Sequence, residues 1–451
     1  MSKKSVTRKG EKVTVIGLGR SGTAAAAQLV REGAEVLIVD DRDQAVPAAL
    51  QGQPLQYHLG HWNTEDLFWA DRIIVSPGFP LSRLPSRALA DAGIAVISEM
   101  GWAASHLSAP LIAITGTNGK STTTTLVGEI LKANGHKVFV GGNLGVPLSL
   151  AIGGRWDFIV AEVSSYQLEA PGDFHPHIAV LLNITPDHLD RYPDTTTYRK
   201  TKWRIFENQM PTDHAVFNVT EPFPETLRSH RVCFGLTPEA EVRVQEGGIV
   251  SDLKSTGERL LQVSALRLQG AHNIENALAA VAVTQQCGVP SEIIQKVLTA
   301  FEGLPHRMEW VRDVGGVRYI NDSKGTNVGA VMKSLEGITT PVILIAGGQD
   351  KGCDFTPLLP VIGKKVKHLI LLGTAREKLA HCFAGYAAMT QASSMEEAVR
   401  IAGATAQPGD CVLLSPACAS FDQFRDYQHR GEVFKCAVAA LRSSYGHRDD
   451  T

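Results

Sequence analysis

Three times along the chain an aliphatic run ends in a glycine-rich turn and passes into a helical pattern: "KVTVIGLGRSG", "PLIAITGTNGKS" and "PVILIAGGQDKG". Short apolar runs alternate with helical patterns throughout, which is the mark of βαβ units and mainly parallel sheets. "AEVLIVDD", "DRIIVSPG" and "IAVISE" extend the first series. "HKVFVGGN", "DFIVAEVSS" and "HIAVLLNITPDH" extend the second, and "VRYINDSKGTN", "HLILLGTA" and "CVLLSPACAS" belong to the third. Residues 204–270 read as a less regular mixed region, followed by a helix over "AHNIENALAAVAVTQQCG" with Ala277, Leu278, Val281 and Ala282 as its apolar stripe. At 451 residues the chain is too long for one core. Three α/β domains are expected, over 1–98, 99–303 and 304–451.

The charge balance removes whole classes of partner. Lys+Arg 44 against Asp+Glu 46 gives −2, so no global field favours nucleic acid or an acidic membrane surface. Apolar runs such as "IAVLL" fall far short of a membrane span, and the basic N-terminus leads into a strand rather than a signal peptide. Seven scattered cysteines with no CxxC pair argue against a disulfide framework and a zinc site. A cytoplasmic location and a monomer are expected.

The second glycine turn is the most informative. A phosphate-binding loop of the usual kind needs glycine, four residues, then Gly-Lys-Ser/Thr. Gly119-Lys120-Ser121 is intact, but Ile114 stands where the first glycine belongs, and Gly116 opens a shorter loop. Between a buried strand and the helix "STTTTLVGEILKANG", the loop still gathers backbone N–H groups and a helix N-terminus around an anion. Lys120 supplies charge for phosphate oxygens, and the Ser121 hydroxyl suits Mg²⁺. In a parallel sheet, ligands collect at the carboxyl ends of strands, so Glu162, Asn183, Asp187 and His188 fall on the same rim.

The first turn, Gly17 to Gly22, is a full G-x-G-x-x-G after a strand, with Asp40 ending the next strand. Its physics suits any nucleotide diphosphate, NAD included. In the third series Lys324, Thr326, Lys351 and Ser420 lie just past strands, on one rim suited to an anionic substrate. On these residues alone an NAD-dependent dehydrogenase and a nucleotide-dependent switch protein stay open.

"TGTNGKSTT", "GGNLG", "EVSSYQLE", "LNITPDHLDRY", "AHNIENALAA", "LPHRME", "NDSKGTN" and "SPACASFDQF" together resemble the Mur ligases of peptidoglycan synthesis. The resemblance spans nearly the whole chain, and the shortened phosphate loop is this family's own form. The last four motifs fit best the branch that adds D-glutamate; folylpolyglutamate synthase or another Mur ligase is the nearest alternative. The resemblance implies a Rossmann-like N-terminal domain, a central P-loop ATPase-type domain with a mainly parallel sheet, and a C-terminal Rossmann-like α/β domain. It implies ATP-dependent joining of D-glutamate to UDP-N-acetylmuramoyl-L-alanine through an acyl phosphate, with Mg²⁺ at two sites.

By the same resemblance, ATP falls to Gly116, Thr117, Asn118, Gly119, Lys120, Ser121 and Thr122, with Asn273 and Asn276 at the adenine. Arg307, Asp322 and Lys324 join from the third domain. Metal binding falls to Ser121, Glu162, His188 and Lys202. The UDP substrate falls to Gly19, Arg20, Ser21, Asp40, Asp41, Arg42 and Gly78, with Asn143 at the muramoyl end; Arg20 stands where relatives vary. D-glutamate falls to Thr326, Lys351, Ser420 and Tyr427. Read locally, Lys202 in "YRKTKWRIFEN" is a solvated helix lysine like Lys200. Relatives carry a carbamylated lysine there, so Lys202 is expected to be carbamylated and catalytic alongside Lys120, Glu162 and His188.

Overall fold

The computed structural model describes residues 7–188, 191–268, 270–350 and 352–441. The chain forms two compact units, Met1–Phe301 and Glu302–Thr451. Among the described residues there are three sheets, two in the first unit and one in the second.

The first sheet holds β1 (Lys12–Ile16), β2 (Glu35–Asp40), β3 (Leu55–Leu59), β4 (Arg72–Val75) and β5 (Ala95–Ser98), in the order β3-β2-β1-β4-β5, all parallel. The chain winds outward from β1 in one direction and from β4 in the other. A crevice therefore opens at the carboxyl ends of β1 and β4, where Gly17–Gly19 and Ser76–Gly78 lie. The helix Arg20–Arg31 packs close because its buried face is largely alanine, Ala24 to Ala27 with Leu29. Gly22 permits the approach: a Cβ there would meet the Gly17 carbonyl oxygen. β3, "LQYHL", is only half-buried and lacks the aliphatic run that marks the other strands.

The central sheet holds β6 (Leu111–Thr115), β7 (Val138–Gly142), β8 (Phe158–Glu162), β9 (Ile178–Leu181), β10 (His214–Asn218), β11 (His230–Gly235), β12 (Val242–Gln245), β13 (Gly248–Ser251) and β14 (Glu258–Gln262). Its order is β14-β13-β12-β11-β10-β9-β6-β8-β7. Pairing is parallel from β7 to β12, and β12, β13 and β14 form an antiparallel margin. Much of the region that looked irregular in sequence is therefore sheet. The helices Lys120–Ala133 and Ala271–Gln286 cover one face, burying Leu126, Val127, Ile130, Leu278 and Val281 against Ile112, Ile114 and Val180.

At the amino ends of these strands lies a group that sequence gave no reason to connect. His175 and His177 stack with centroids 5.5 Å apart, and His214 and His230 lie 5.8 Å apart. Asp213 accepts from His175 at 2.6 Å, and the Leu111 N–H donates to His177 Nδ1 at 3.3 Å. Burial lowers the pKa of His177, with His175 adding to the shift and Asp213 opposing it. Burial and His230 likewise lower that of His214 against Asp213. Both imidazoles stay neutral in the fold at pH values where the unfolded chain takes up protons. Their contribution is full above the ordinary value of 6.5 and fades as pH falls through it toward the lowered folded values. The urea midpoint of unfolding should therefore drop between about pH 7.5 and about pH 5.5, and the double variant His177→Gln/His214→Gln should flatten that slope. An equal slope in the variant would show that other groups govern it.

In the second unit, β15 (Glu309–Val314), β16 (Val317–Asn321), β17 (Val342–Gly347), β18 (Val366–Leu372), β19 (Ala388–Gln391) and β20 (Cys411–Leu414) take the order β15-β16-β20-β17-β18-β19. All pairings are parallel except that of β15 with β16. All seven cysteines are free thiols. Among the described residues no helix is long and apolar enough to cross a membrane.

Candidate active site

The phosphate loop joins β6 to the helix Lys120–Ala133. Gly116 and Gly119 take φ of +154° and +84°. Gly119 is doubly constrained, because a Cβ there would also meet Asn276 Oδ1. The loop is laced to the neighbouring strand end: Thr117 N–H donates to the Asn183 carbonyl at 2.8 Å, and Asn118 N–H to Asn183 Oδ1 at 2.9 Å. Lys120 Nζ donates to the carbonyls of Gly116 and Thr117 at 2.8 and 2.9 Å, which folds the ammonium over its own loop. Ser121 and Thr122 are buried in the first helical turn. Thr123 donates to Asn276 Oδ1 at 3.3 Å, and Asn276 donates to Asn273 Oδ1 at 3.4 Å. Asn276 thus reaches the loop from the helix Ala271–Gln286, with Asn273 bonded behind it.

On the same rim Glu162, at the end of β8, is buried and accepts from Asn143 Nδ2 at 2.6 Å. This brings Asn143 beside the candidate metal group. His188 follows β9 with a left-handed φ of +54°, and its Nδ1 lies 2.7 Å from the Tyr166 hydroxyl. Asp187 stands next to it, its Oδ2 3.7 Å from His188 Nε2.

Lys202 departs most from its local reading. It is 1% exposed on the helix Thr195–Trp203, whereas Lys200 is exposed. Its Nζ donates to the Gly116 carbonyl at 3.0 Å and lies 4.6 Å from the centre of the Tyr198 ring. Burial, reinforced by Lys120, drives its pKa well below the ordinary lysine value, while Asp187 and Glu162 pull the other way. Lys120 and Lys202 thus share the Gly116 carbonyl, with Asp187 and Glu162 near enough to act on the Lys202 charge. Among the described residues no three His, Cys, Asp or Glu side chains are placed to hold a metal by themselves.

At the first sheet, Gly19 caps the helix Arg20–Arg31, with Arg20 exposed and Ser21 half-buried. Asp40 is buried and accepts from Leu18 N–H at 2.7 Å and Arg42 N–H at 2.9 Å, with the Arg42 Nε at 3.2 Å. Burial acts to raise its pKa, but these donors hold it below the usual carboxylate value. Asp40 thus closes the glycine turn from within. Asp41 is engaged by both Arg83 nitrogens, at 2.5 and 3.0 Å, and by Trp62 Nε1 at 2.9 Å. Neither Arg83 nor Trp62 stood out in sequence. Gly78 is exposed, with open space around it.

In the second unit, Asp322 follows β16 and is buried. Its Oδ2 accepts from Ser334 and Ser415, both at 2.7 Å. Burial raises its pKa against those hydroxyls and Arg307. Lys324 Nζ lies 5.7 Å from the Tyr427 ring centre, and the Ser323 hydroxyl donates to the Tyr427 carbonyl at 2.7 Å. Thr326 N–H donates to the Lys324 carbonyl at 2.8 Å, and Ser420 is buried. Lys351 lies outside the described residues.

Arg430 organises this region and carried no sequence signal, being one charge in a polar helix. It is 1% exposed and, among the described residues, donates only to neutral oxygens: Ser323 Oγ at 3.0 Å, Ser323 O at 2.9 Å, and the Cys418 and Ala419 carbonyls at 3.2 Å each. Burial lowers its pKa to about 10, still charged at neutral pH. One guanidinium therefore ties the "NDSK" loop to the "SPACAS" loop. Arg430→Ala should destabilise the second unit by about 3 kcal/mol, because it orphans several buried carbonyls. Arg430→Lys should recover less than half, lacking the planar fork. Chemical denaturation followed by near-ultraviolet dichroism reads both.

Models of three domain families match the chain. The MurD-like N-terminal domain of Mur ligases matches residues 11–98, the Mur ligase middle domain residues 114–284, and the Mur ligase glutamate ligase domain residues 306–418. A UDP-N-acetylmuramoylalanine–D-glutamate ligase of Geotalea uraniireducens is 44% identical over 448 residues, covering 97% of this chain and 99% of its own. The enzyme of the same name from Pelotomaculum thermopropionicum is 44% identical over 453 residues, covering 97% and 99%. Among solved structures, a pseudomurein peptide ligase type C from Methanothermus fervidus aligns with TM-score 0.57 at 19% identity over 90% of this chain and 96% of its own. A MurF ligase from Thermotoga maritima in complex with ADP aligns with TM-score 0.57 at 16% identity over 96% of each chain. At such identities these two structures speak to the fold alone.

Proposed function

The chain belongs to the Mur ligase family, and we infer from that premise that it joins D-glutamate to UDP-N-acetylmuramoyl-L-alanine at the expense of ATP. A carboxylate is a poor electrophile, since its charge repels nucleophiles and oxide does not leave. An oxygen of the alanyl carboxylate attacks the terminal phosphorus of ATP, and ADP departs. The amine of D-glutamate then attacks the acyl carbon, and phosphate leaves from the tetrahedral intermediate as the nitrogen gives up a proton. The reaction is a step of peptidoglycan precursor synthesis, and we place it in the cytoplasm.

The observation that carries the residue assignment is the Gly116 carbonyl shared by Lys120 and the buried Lys202, beside the amino end of the helix Lys120–Ala133, with Glu162 and Asp187 acting on the Lys202 charge. Backbone N–H groups of the loop Gly116–Thr122 and the Lys120 ammonium hold phosphate oxygens and neutralise charge as it moves between them. The Ser121 hydroxyl, the Glu162 carboxylate, His188 and a carbamylated Lys202 form a largely oxygen donor set suited to Mg²⁺. Bound there, the metal shields phosphate charge and helps to orient the transferred group.

We assign the three domains 1–98, 99–303 and 304–451 to the UDP substrate, to ATP and to the amino acid. Gly19, Arg20, Ser21, Asp40, Asp41, Arg42 and Gly78 serve the nucleotide of the substrate, and Asn143 its muramoyl end. Asn273, Asn276, Arg307, Asp322 and Lys324 serve ATP, and Thr326, Lys351, Ser420 and Tyr427 serve D-glutamate. Phosphate release measured with UDP-N-acetylmuramoyl-L-alanine while scanning D-Glu, L-Glu, L-Ala, L-Lys and meso-diaminopimelate tests the reaction. Release should require D-Glu, and equal turnover with any other of these amino acids would overturn the assignment.

A further inference from the structure

We propose that Arg191 is a positioning residue linking the loop that carries Gly78 to the imidazole of His188, so that substrate seated at the first sheet is aligned with the reacting groups at the second. The proposal rests on the reading above that the first sheet takes the UDP end of the substrate.

Arg191 follows the phosphate-loop rim in chain order but makes bonds in both domains of its unit. Its Nε and Nη2 form a fork on the Glu169 carboxylate, at 2.9 and 2.6 Å. The same Nη2 donates at 3.0 Å to the carbonyl of Phe79, the residue after Gly78. Its guanidinium carbon lies 4.6 Å from the centre of the Tyr166 ring, and the Tyr166 hydroxyl lies 2.7 Å from His188 Nδ1. The Arg191 backbone N–H also donates to the His188 carbonyl at 3.0 Å, with Tyr192 N–H adding a second bond at 2.9 Å. His188 is thereby held at a φ of +54°, in the left-handed region that is uncommon outside glycine.

The Phe79 end is anchored as well. Arg83 covers the Phe79 ring at 4.9 Å and forks onto Asp41, which follows β2. The contacts form a continuous line from Asp41 through Arg83, Phe79, Arg191 and Tyr166 to His188. A planar guanidinium suits the middle of that line, because it can make a carboxylate fork, a carbonyl bond and a ring contact at once. The Arg191 and Glu169 side chains are about 14 and 15% exposed, so water screens the pair little.

The test is steady-state kinetics of the full chain with ATP, D-glutamate and UDP-N-acetylmuramoyl-L-alanine. Arg191→Ala should raise KM for the UDP substrate about tenfold or more, with KM for ATP little changed, since a charge-assisted contact is lost on one substrate's side alone. Arg191→Lys should fall between, retaining charge without the fork. Tyr166→Phe should lower kcat, and its effect should shrink in the Arg191→Ala background if both act through one line. A merely structural Arg191 would lower the melting temperature and scale kcat down with every KM unmoved, and that result overturns the proposal. Asp40→Ala separates the two layers. If it leaves KM for the UDP substrate unmoved, the nucleotide reading itself fails. If it raises that KM while Arg191→Ala and Arg191→Lys do not, only the link fails.

Discussion

Lys202→Ala is expected to lose roughly 99% or more of turnover, and a short carboxylate such as acetate to restore part of it. The side chain is buried beside Lys120, an environment hostile to an ammonium. The proposed carbamate would form by attack of the deprotonated nitrogen on carbon dioxide, a C–N bond forming as a proton leaves, and burial beside Lys120 favours that deprotonated form. That step would take the side chain from neutral to negative, so that Lys120 would face an anion rather than a second amine. Added acetate supplies the missing oxygens without the tether, whereas Lys200→Ala should be nearly silent because Lys200 is exposed. The unmodified amine also burdens the fold. Its folded pKa is depressed, so the unfolded chain binds more protons in the window between that lowered value and the ordinary 10.5, and stability falls as pH drops through that window. Lys202→Met should accordingly raise the melting temperature of bicarbonate-free protein while destroying activity. Full activity in Lys202→Ala would refute the carbamate outright.

Gly119→Ala should damage both the phosphate loop and the stability of the fold. The position combines φ of +84° with a space already filled by Asn276 Oδ1. Strained backbone of this kind costs about 1–3 kcal/mol, and the clash adds to it. The loop would respond by moving, and with it the N–H groups assigned to phosphate. KM for ATP should rise by about a hundredfold, with the urea midpoint lowered. Pairing the change with Asn276→Ala separates its two causes. The double variant should regain the part of the stability lost to the clash, and none of the part due to φ. ATP binding with unchanged KM in Gly119→Ala would refute this account of the loop.

Several of these features were open to sequence reading, and the reasons are local. The strands "VTVI", "LIAIT" and "VILIAG" are buried on both faces, so hydrophobicity alone marks them; glycines at +φ then mark where each turns. β3, β12 and β14 were missed because "LQYHL", "VRVQ" and "ERLLQ" are half-buried and rich in long polar side chains. Glu162 and His188 were legible because each follows a plain strand at the rim where ligands gather. Lys202 was legible only through the family, since nothing in "YRKTKW" distinguishes a buried lysine from the exposed one two residues before it. Arg430 and Arg191 were not legible at all. Their importance lies in carbonyls and a carboxylate that the fold brings to them from distant parts of the chain, which no spacing rule records.

The antiparallel margin of the central sheet has a practical use. From β9, beside the phosphate loop, to β14 is five strand spacings, or roughly 24 Å. The turn joining β13 to β14 is tied at its base by Asp252, which accepts from Gly257 N–H at 2.6 Å and from Arg243 at 2.5 Å, while its tip at Ser255 and Thr256 is exposed. An epitope or a fluorophore placed between those two residues would ride on a rigid sheet far from the chemistry, a handle for tethering or tracking the enzyme at work.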